Sequence, residues 1–379
     1  MIGPLLGFYL AGLFYDEKTV GFVVSAGLAG AAAATAWVTL FGSRLERRTA
    51  LLAVASLSIA GGTVAAVASG PSVVGAAAFV GMLNGMGRDR GACLVLEQAM
   101  LPETASPAAR TRAFAWYSVM QDGGTALGGL ASALPGLLRT TAGMDSLPAL
   151  RLSIGVYLAL LALAAAPYLL LSRHISRPRA GAGLRISPRS RGLLAKLCAL
   201  FAVDSIAGGF LTATFLTLFF RGRFGIDEQT IGVLFFARSI LNALSHLGAA
   251  WIAKRIGLVN TMVFTHIPSS LFLLTVTVAP TFPIAAALFL LREGLVEMDV
   301  PTRTSYVMAV VQDEERPFAS GMTHLVRMAG WAVAPAIGGL AAGSTDSLAV
   351  PLWIGAGMKI TYAVLLYAAF QAVRAPEEP

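Results

Sequence analysis

From Met1 to Phe370 the chain is a succession of apolar runs, interrupted only by short turns bearing charges, glycine or proline. Runs of about 20 apolar residues match the thickness of a bilayer's hydrocarbon core, where every backbone N–H and C=O must find its partner within the protein. No stretch alternates apolar and polar residues as a half-buried strand does, so the runs must be helices. They fall at 1–15, 20–43, 50–70, 72–101, 110–138, 148–172, 192–220, 229–253, 257–279, 282–311, 317–343 and 349–373, which predicts twelve spanning helices, hereafter spans 1 to 12. The fold class expected is therefore an all-α integral membrane bundle. With 56% hydrophobic and 13% charged residues, against about 25% charged in soluble domains, the 379 residues leave no room for a large catalytic domain outside the membrane. The first run reaches Asp16 after only about 15 residues, roughly 22 Å of helix against a core of about 30 Å. Span 1 is thus expected to be shortened, or to start upstream of Met1.

The least apolar stretch, "ISRPRAGAGLRISPRS" at 175–190, reads as a solvated linker between a half at 1–174 and a half at 191–379, each with six spans. The halves repeat each other. "DEKTVG" at Asp16 returns as "DEQTIG" at Asp227, and Arg44 with Lys254, Asp89 with Asp299, and "GGLA" at Gly128 with "GGLA" at Gly338 recur at nearly one offset. An internal duplication explains the shared offset. Loops after even-numbered spans carry fourteen Lys and Arg residues, among them Arg44, Arg47, Arg48, Arg177, Arg185 and Lys254, whereas loops after odd-numbered spans carry five. The positive-inside rule then places the linker and the C-terminus in the cytoplasm. The net charge of +8 is accounted for by topology, so nucleic acid is not expected as a partner. No cleavable signal peptide is read at the N-terminus, and Cys93 and Cys198 fall inside apolar runs, which argues against a disulfide framework or a zinc site.

Two six-span halves joined by a basic linker, with basic loops between spans 2 and 3 and between spans 8 and 9, resemble the major facilitator superfamily of secondary transporters. Its usual loop 2–3 pattern, Gly-x-x-x-Asp-Arg-x-Gly-Arg-Arg, is met here by Arg44, Arg47 and Arg48, while Thr39, Ser43 and Glu46 replace the Gly, Asp and Gly. Its span 4 pattern, Arg-x-x-Gln-Gly-x-Gly, keeps Gly85 and Gly87 but has Gly81 and Asn84 for the Arg and Gln. Its antiporter glycine pattern is better kept in span 11, through Gly321, Gly330, Pro335, Gly338 and Gly339, than in span 5, where Gly124, Gly128 and Gly129 remain. The resemblance implies that spans 1, 4, 7 and 10 line a central path, that 2, 5, 8 and 11 flank it, and that 3, 6, 9 and 12 form an outer layer. Independently, spans 3, 6, 9 and 12 hold only His266 and Lys359 as titratable residues well inside them.

A charge in hydrocarbon costs several kcal/mol unless it faces protein or water, so intramembrane charges mark shielded sites. By depth, Asp122, Asp204, Arg238, Arg292, Glu293 and Arg327 fall near the midplane and are the candidates for binding substrate or protons. Arg88, Asp89, Arg90, Glu97, Glu297, Asp299 and Arg303 fall toward the cytoplasmic ends of spans 4 and 10 and are the candidates for an inner gate. Within their own spans Asp122 and Asp204 have no arginine close by, whereas Glu293 adjoins Arg292; this favours the two aspartates for proton binding and the three arginines for an anionic substrate group. His246, His266 and His324 have no ligand-like spacing and read as packed histidines, and neither a metal nor another cofactor is expected. "GMGRDRG" at 85–91 follows no strand and reads as helix packing rather than a dinucleotide loop. No nucleophile, metal or phosphate constellation indicates an enzyme.

The function expected is secondary active transport of a small molecule across the cytoplasmic (inner) membrane by rocking of the halves, driven by protons, with a lean toward export and the chain acting as a monomer. The alternative is a membrane sensor or assembly factor that keeps the scaffold without transporting.

Overall fold

A computed structural model describes residues 1–41, 46–86, 91–104, 110–172, 187–299, 302–303, 306–307, 311 and 315–370. The described secondary structure is helical: α1 (Ile2–Gly12), α2 (Glu17–Phe41), α3 (Arg47–Val67), α4 (Pro71–Gly81), α5 (Gly91–Thr104), α6 (Arg110–Ala131), α7 (Leu134–Ala142), α8 (Ser146–Ala165) with a 3-10 turn at Ala166–Leu170, then α9 (Pro188–Gly209), α10 (Ala213–Phe224), α11 (Glu228–Ile256), α12 (Leu258–Val278), α13 (Phe282–Val296), α14 (Arg316–Thr345) and α15 (Ala349–Phe370). Among the described residues, eight stretches are individually long and apolar enough to cross a bilayer. The twelve expected spans are not each one continuous helix. Span 4 divides into α4 and α5, span 5 into α6 and α7, and span 7 into α9 and α10, while α13 stops partway along span 10.

Each break has a local cause. At the end of α4, Met82 takes a left-handed φ of 51°, and the Asn84 carboxamide accepts from the Met86 N–H at 2.8 Å, competing with the helical ladder. Beyond α9, the Thr212 hydroxyl accepts from Phe215 N at 3.1 Å and starts α10 afresh. The two breaks meet: Thr214 N donates to Gly85 O at 3.2 Å, and the Thr214 hydroxyl donates to Gly3 O at 3.0 Å. A Cβ on Gly85 would stand 3.0 Å from that hydroxyl, which is why a residue without a side chain sits there.

The duplicated hexapeptides play one structural role twice. Asp16 accepts from Thr19 N at 3.0 Å and Asp227 from Thr230 N at 2.9 Å, capping α2 and α11. Five residues after each cap, a glycine lets the helix touch the opposite half. A Cβ on Gly21 would stand 2.9 Å from Gly339 Cα, and one on Gly232 would stand 3.0 Å from Ala133 N. The two seams between the halves, α2 with α14 and α11 with α6, are thus built from the same motif pair with the halves exchanged.

Apolar burial is uneven along the membrane normal. Toward the Asp16 and Asp227 ends, one core joins both halves through Leu6, Phe8, Val24 and Val74 with Phe215, Phe219, Leu234 and Phe289. Toward the linker ends there are two cores, one of second-half residues such as Leu197, Met262 and Leu366 and one of first-half residues such as Leu51, Val54 and Leu96. The hydrophobic effect therefore fastens the halves together at one face and consolidates each half separately at the other.

Candidate functional site

The midplane candidates do not form one cluster. Asp204 on α9 lies in a buried group of charges within the second half. Its Oδ1 accepts from Lys359 Nζ on α15 at 2.7 Å, and its Oδ2 from an Arg303 guanidinium N at 2.9 Å. That same guanidinium lies 3.4 Å from Asp299, four residues before it. His266 on α12 completes the group, with Nε2 3.2 Å from Asp299 Oδ2 and Nδ1 3.9 Å from Asp204 Oδ1. Asp204, His266, Asp299, Arg303 and Lys359 are each less than a tenth exposed, and the Tyr362 ring closes one side, 5.6 Å from the imidazole.

Asp204 has no arginine close by in its own span, and tertiary packing brings it Lys359 and Arg303 from other spans. The separation of Asp204 from the gate residues Asp299 and Arg303 also disappears, since all three share one network. Depth counted along each span missed it because an arginine side chain reaches several ångströms beyond its own Cα. His266 and Lys359, the two titratable residues inside outer-layer spans, were the available signal for this group.

A second cluster joins Arg238, Arg292 and Glu293. Arg238 Nε donates to Glu293 Oε2 at 2.7 Å, and Arg292 reaches Glu293 Oε1. Glu293 is fully buried, and the Arg238 guanidinium stands over Phe235 at 5.4 Å. Buried carboxylates with two guanidinium partners are strongly held, since removing a cation leaves an uncompensated charge. Arg327 lies apart, its guanidinium 5.0 Å over the Trp331 ring. Asp122 is half-buried on α6, two turns from Gly129, whose missing Cβ admits the Phe235 backbone at 3.1 Å; it joins neither charge cluster.

Of the remaining gate candidates, Glu97 on α5 accepts from the Tyr117 hydroxyl at 2.5 Å and also from the Tyr168 hydroxyl. This ties three spans of the first half together. Glu297 follows the end of α13. Arg88, Asp89 and Arg90 lie outside the described residues. Between the halves at the Asp16 and Asp227 face, one guanidinium nitrogen of Arg139 donates to both Glu228 carboxylate oxygens at 3.2 Å, a bifurcated contact absent from the sequence-based candidates. Among the described residues no group of three His, Cys, Asp or Glu side chains is placed to hold a metal.

Comparison with known proteins places the fold. Residues 197–379 match the sequence model of the Major Facilitator Superfamily. An uncharacterized membrane protein of Saccharomyces cerevisiae is 25% identical over 192 residues, covering 50% of this chain. The match spans less than half of that relative, 43% of its length. The crystal structure of the nucleoside transporter NupG superposes with a TM-score of 0.74 at 15% identity, over 98% of this chain and 94% of that one. A point mutant of the same transporter gives 0.76 at 16% identity, over 97% and 95%. The second half thus matches the Major Facilitator Superfamily by sequence, and the fold along the whole chain is similar to that of a solved nucleoside transporter.

Proposed function

We propose that this protein is a secondary active carrier that moves a small molecule across the cytoplasmic membrane by exposing a central site to each side in turn. The observation that carries the reading is the uneven core: one apolar cluster shared by the halves at one face, and separate clusters at the other. Two halves that share a core at one end and keep separate cores at the other have the asymmetry that alternating access requires. The breaks at 82–86 and 210–212, meeting through Thr214 and Gly85, lie where the shared core gives way.

The linker face is taken as cytoplasmic because the basic loops gather there. Protons are the proposed driving ion, since buried ionisable groups are plentiful among the spans. Arg238 and Arg292 around Glu293 favour a substrate carrying an anionic group, by charge-assisted hydrogen bonding. The glycine pattern of span 11 favours export, with the chain working as a proton antiporter.

Purified protein in proteoliposomes tests this. Under an imposed proton gradient, a panel of small organic anions, with nucleosides included because NupG is a nucleoside transporter, should contain at least one compound showing saturable, gradient-dependent flux. Flux that equals protein-free vesicles across a broad panel, from correctly folded protein, would favour a transporter-like sensor instead.

A further inference from the structure

The buried group around His266 carries a further assignment, which rests on the carrier reading and names where its proton binds. Among the described residues, the charged groups around the ring come from three elements. Asp204 comes from α9, Asp299 and Arg303 from span 10, and Lys359 and Tyr362 from α15. The helices α11 and α13 also pack on α12; their Arg238, Arg292 and Glu293 form their own cluster, and among the described residues none is within ion-pair distance of the ring.

Three features single out the imidazole. It is 1% exposed, and each ring nitrogen faces a carboxylate oxygen, Nε2 at 3.2 Å from Asp299 Oδ2 and Nδ1 at 3.9 Å from Asp204 Oδ1. A neutral imidazole donates from one nitrogen only, and a proton on the ring would let both nitrogens donate toward the flanking carboxylates. The fixed charges then balance with the ring neutral: two carboxylates against Lys359 and Arg303. Adding a proton gives the group one net positive charge held between two anions. Finally, the group is too closed for a solute. Its members are each less than a tenth exposed and in ion-pair contact, so a proton is the ligand that fits.

We propose that His266 is the proton-binding residue of this carrier. The proton adds to a ring nitrogen lone pair, its source being water or hydronium, and no covalent bond of the protein breaks. Binding changes the claims on Asp204 and Asp299, because a third cation now competes with Lys359 and Arg303 for the same four carboxylate oxygens. Those carboxylates sit on α9, just before the span 7 break, and past the end of α13 in span 10. A shift of partners there moves the two broken spans against α12 and α15. Protonation thereby biases which face is open.

Two readouts that need no substrate test this on the full-length protein in lipid nanodiscs. The chain has four histidines, so imidazole 15N spectra with each replaced in turn by Gln identify His266 even if one variant folds poorly. Its signal should show the ring gaining a proton as the pH is lowered. In parallel, the rate of disulfide formation between Lys18→Cys and Gly343→Cys, which reports closure of the seam at that face, should change about threefold or more over the same titration and become flat in His266→Gln. A ring that keeps one charge state throughout would overturn the assignment, as would a titrating ring with a flat rate, or a pH response that survives His266→Gln and disappears in Asp122→Asn. Neither readout involves flux, so failure of transport in proteoliposomes and failure of this assignment are separate results.

Discussion

Lys359 donates to Asp204 at 2.7 Å across 155 residues of sequence, tying the last spanning helix to the first helix after the linker. Both side chains are less than a tenth exposed, so the pair exchanges two desolvation costs for one strong contact. Breaking it from one side should cost about 3–5 kcal/mol, because the remaining charge is stranded. Lys359→Met should therefore lower the unfolding midpoint in detergent more than the double variant Lys359→Met/Asp204→Asn does. A double variant no more stable than the single would show that Arg303 alone balances Asp204.

The two helix caps give a pH effect with a defined sign. Asp16 and Asp227 lie in the loops before α2 and α11, and hydrogen bonds from Thr19 and Thr230 hold both carboxyls below the ordinary aspartate value. A depressed folded-state pKa contributes stability that is complete above the unfolded value and is lost as pH falls through the folded one. Asp227→Ala should thus cost about 1 kcal/mol near neutral pH, and the gap to the parent should narrow as acid is added. Urea unfolding in mild detergent, followed from neutral to acid pH, measures both.

The seam between α2 and α14 depends on the absence of side chains. A Cβ on Gly339 would stand 2.9 Å from Gly21 Cα, with the Glu17 carbonyl nearer still. Gly339→Val should slow Lys18→Cys/Gly343→Cys cross-linking by about tenfold, equivalent to about 1.4 kcal/mol against the closed seam. An unchanged rate would mean that the helices slide to absorb the methyl groups.

The Arg139–Glu228 contact holds the other seam. Arg139 is 44% exposed, so screening limits the pair to about 1 kcal/mol or less. Arg139→Glu should speed exchange between facing states modestly, and adding Glu228→Arg should restore the parent rate. Single-molecule distance records across the α7–α11 seam would show it, and equal rates in all three proteins would reduce the contact to a surface pair.

Orientation is checked by thiol labelling. After replacement of Cys93 and Cys198, a cysteine for Ser176 in the linker should be shielded from a membrane-impermeant reagent in intact cells, and one for Ser344 at the end of α14 should react. The reverse pattern would invert the topology drawn from the basic loops.

The sequence by itself determined the helical class and the likeness of the second half to the Major Facilitator Superfamily, because apolar runs of membrane length are a local property of the chain. Apolar run length follows from membrane thickness, and basic loops follow from insertion. The two capping aspartates and the glycines five residues on were likewise legible, since a cap and a close approach each need one residue type at one place. What only the tertiary structure decided was which charges meet. Depth along a span fixes a height in the membrane but not the facing direction, and long side chains from different helices converge across several ångströms. Asp204, free of arginine in its own span, acquires Arg303 from span 10 and Lys359 from span 12. The helix breaks were also decided in three dimensions. Thr214 N bonds to Gly85 O, and two interrupted helices in a dry interior are stable only where each supplies the polar partner the other lacks.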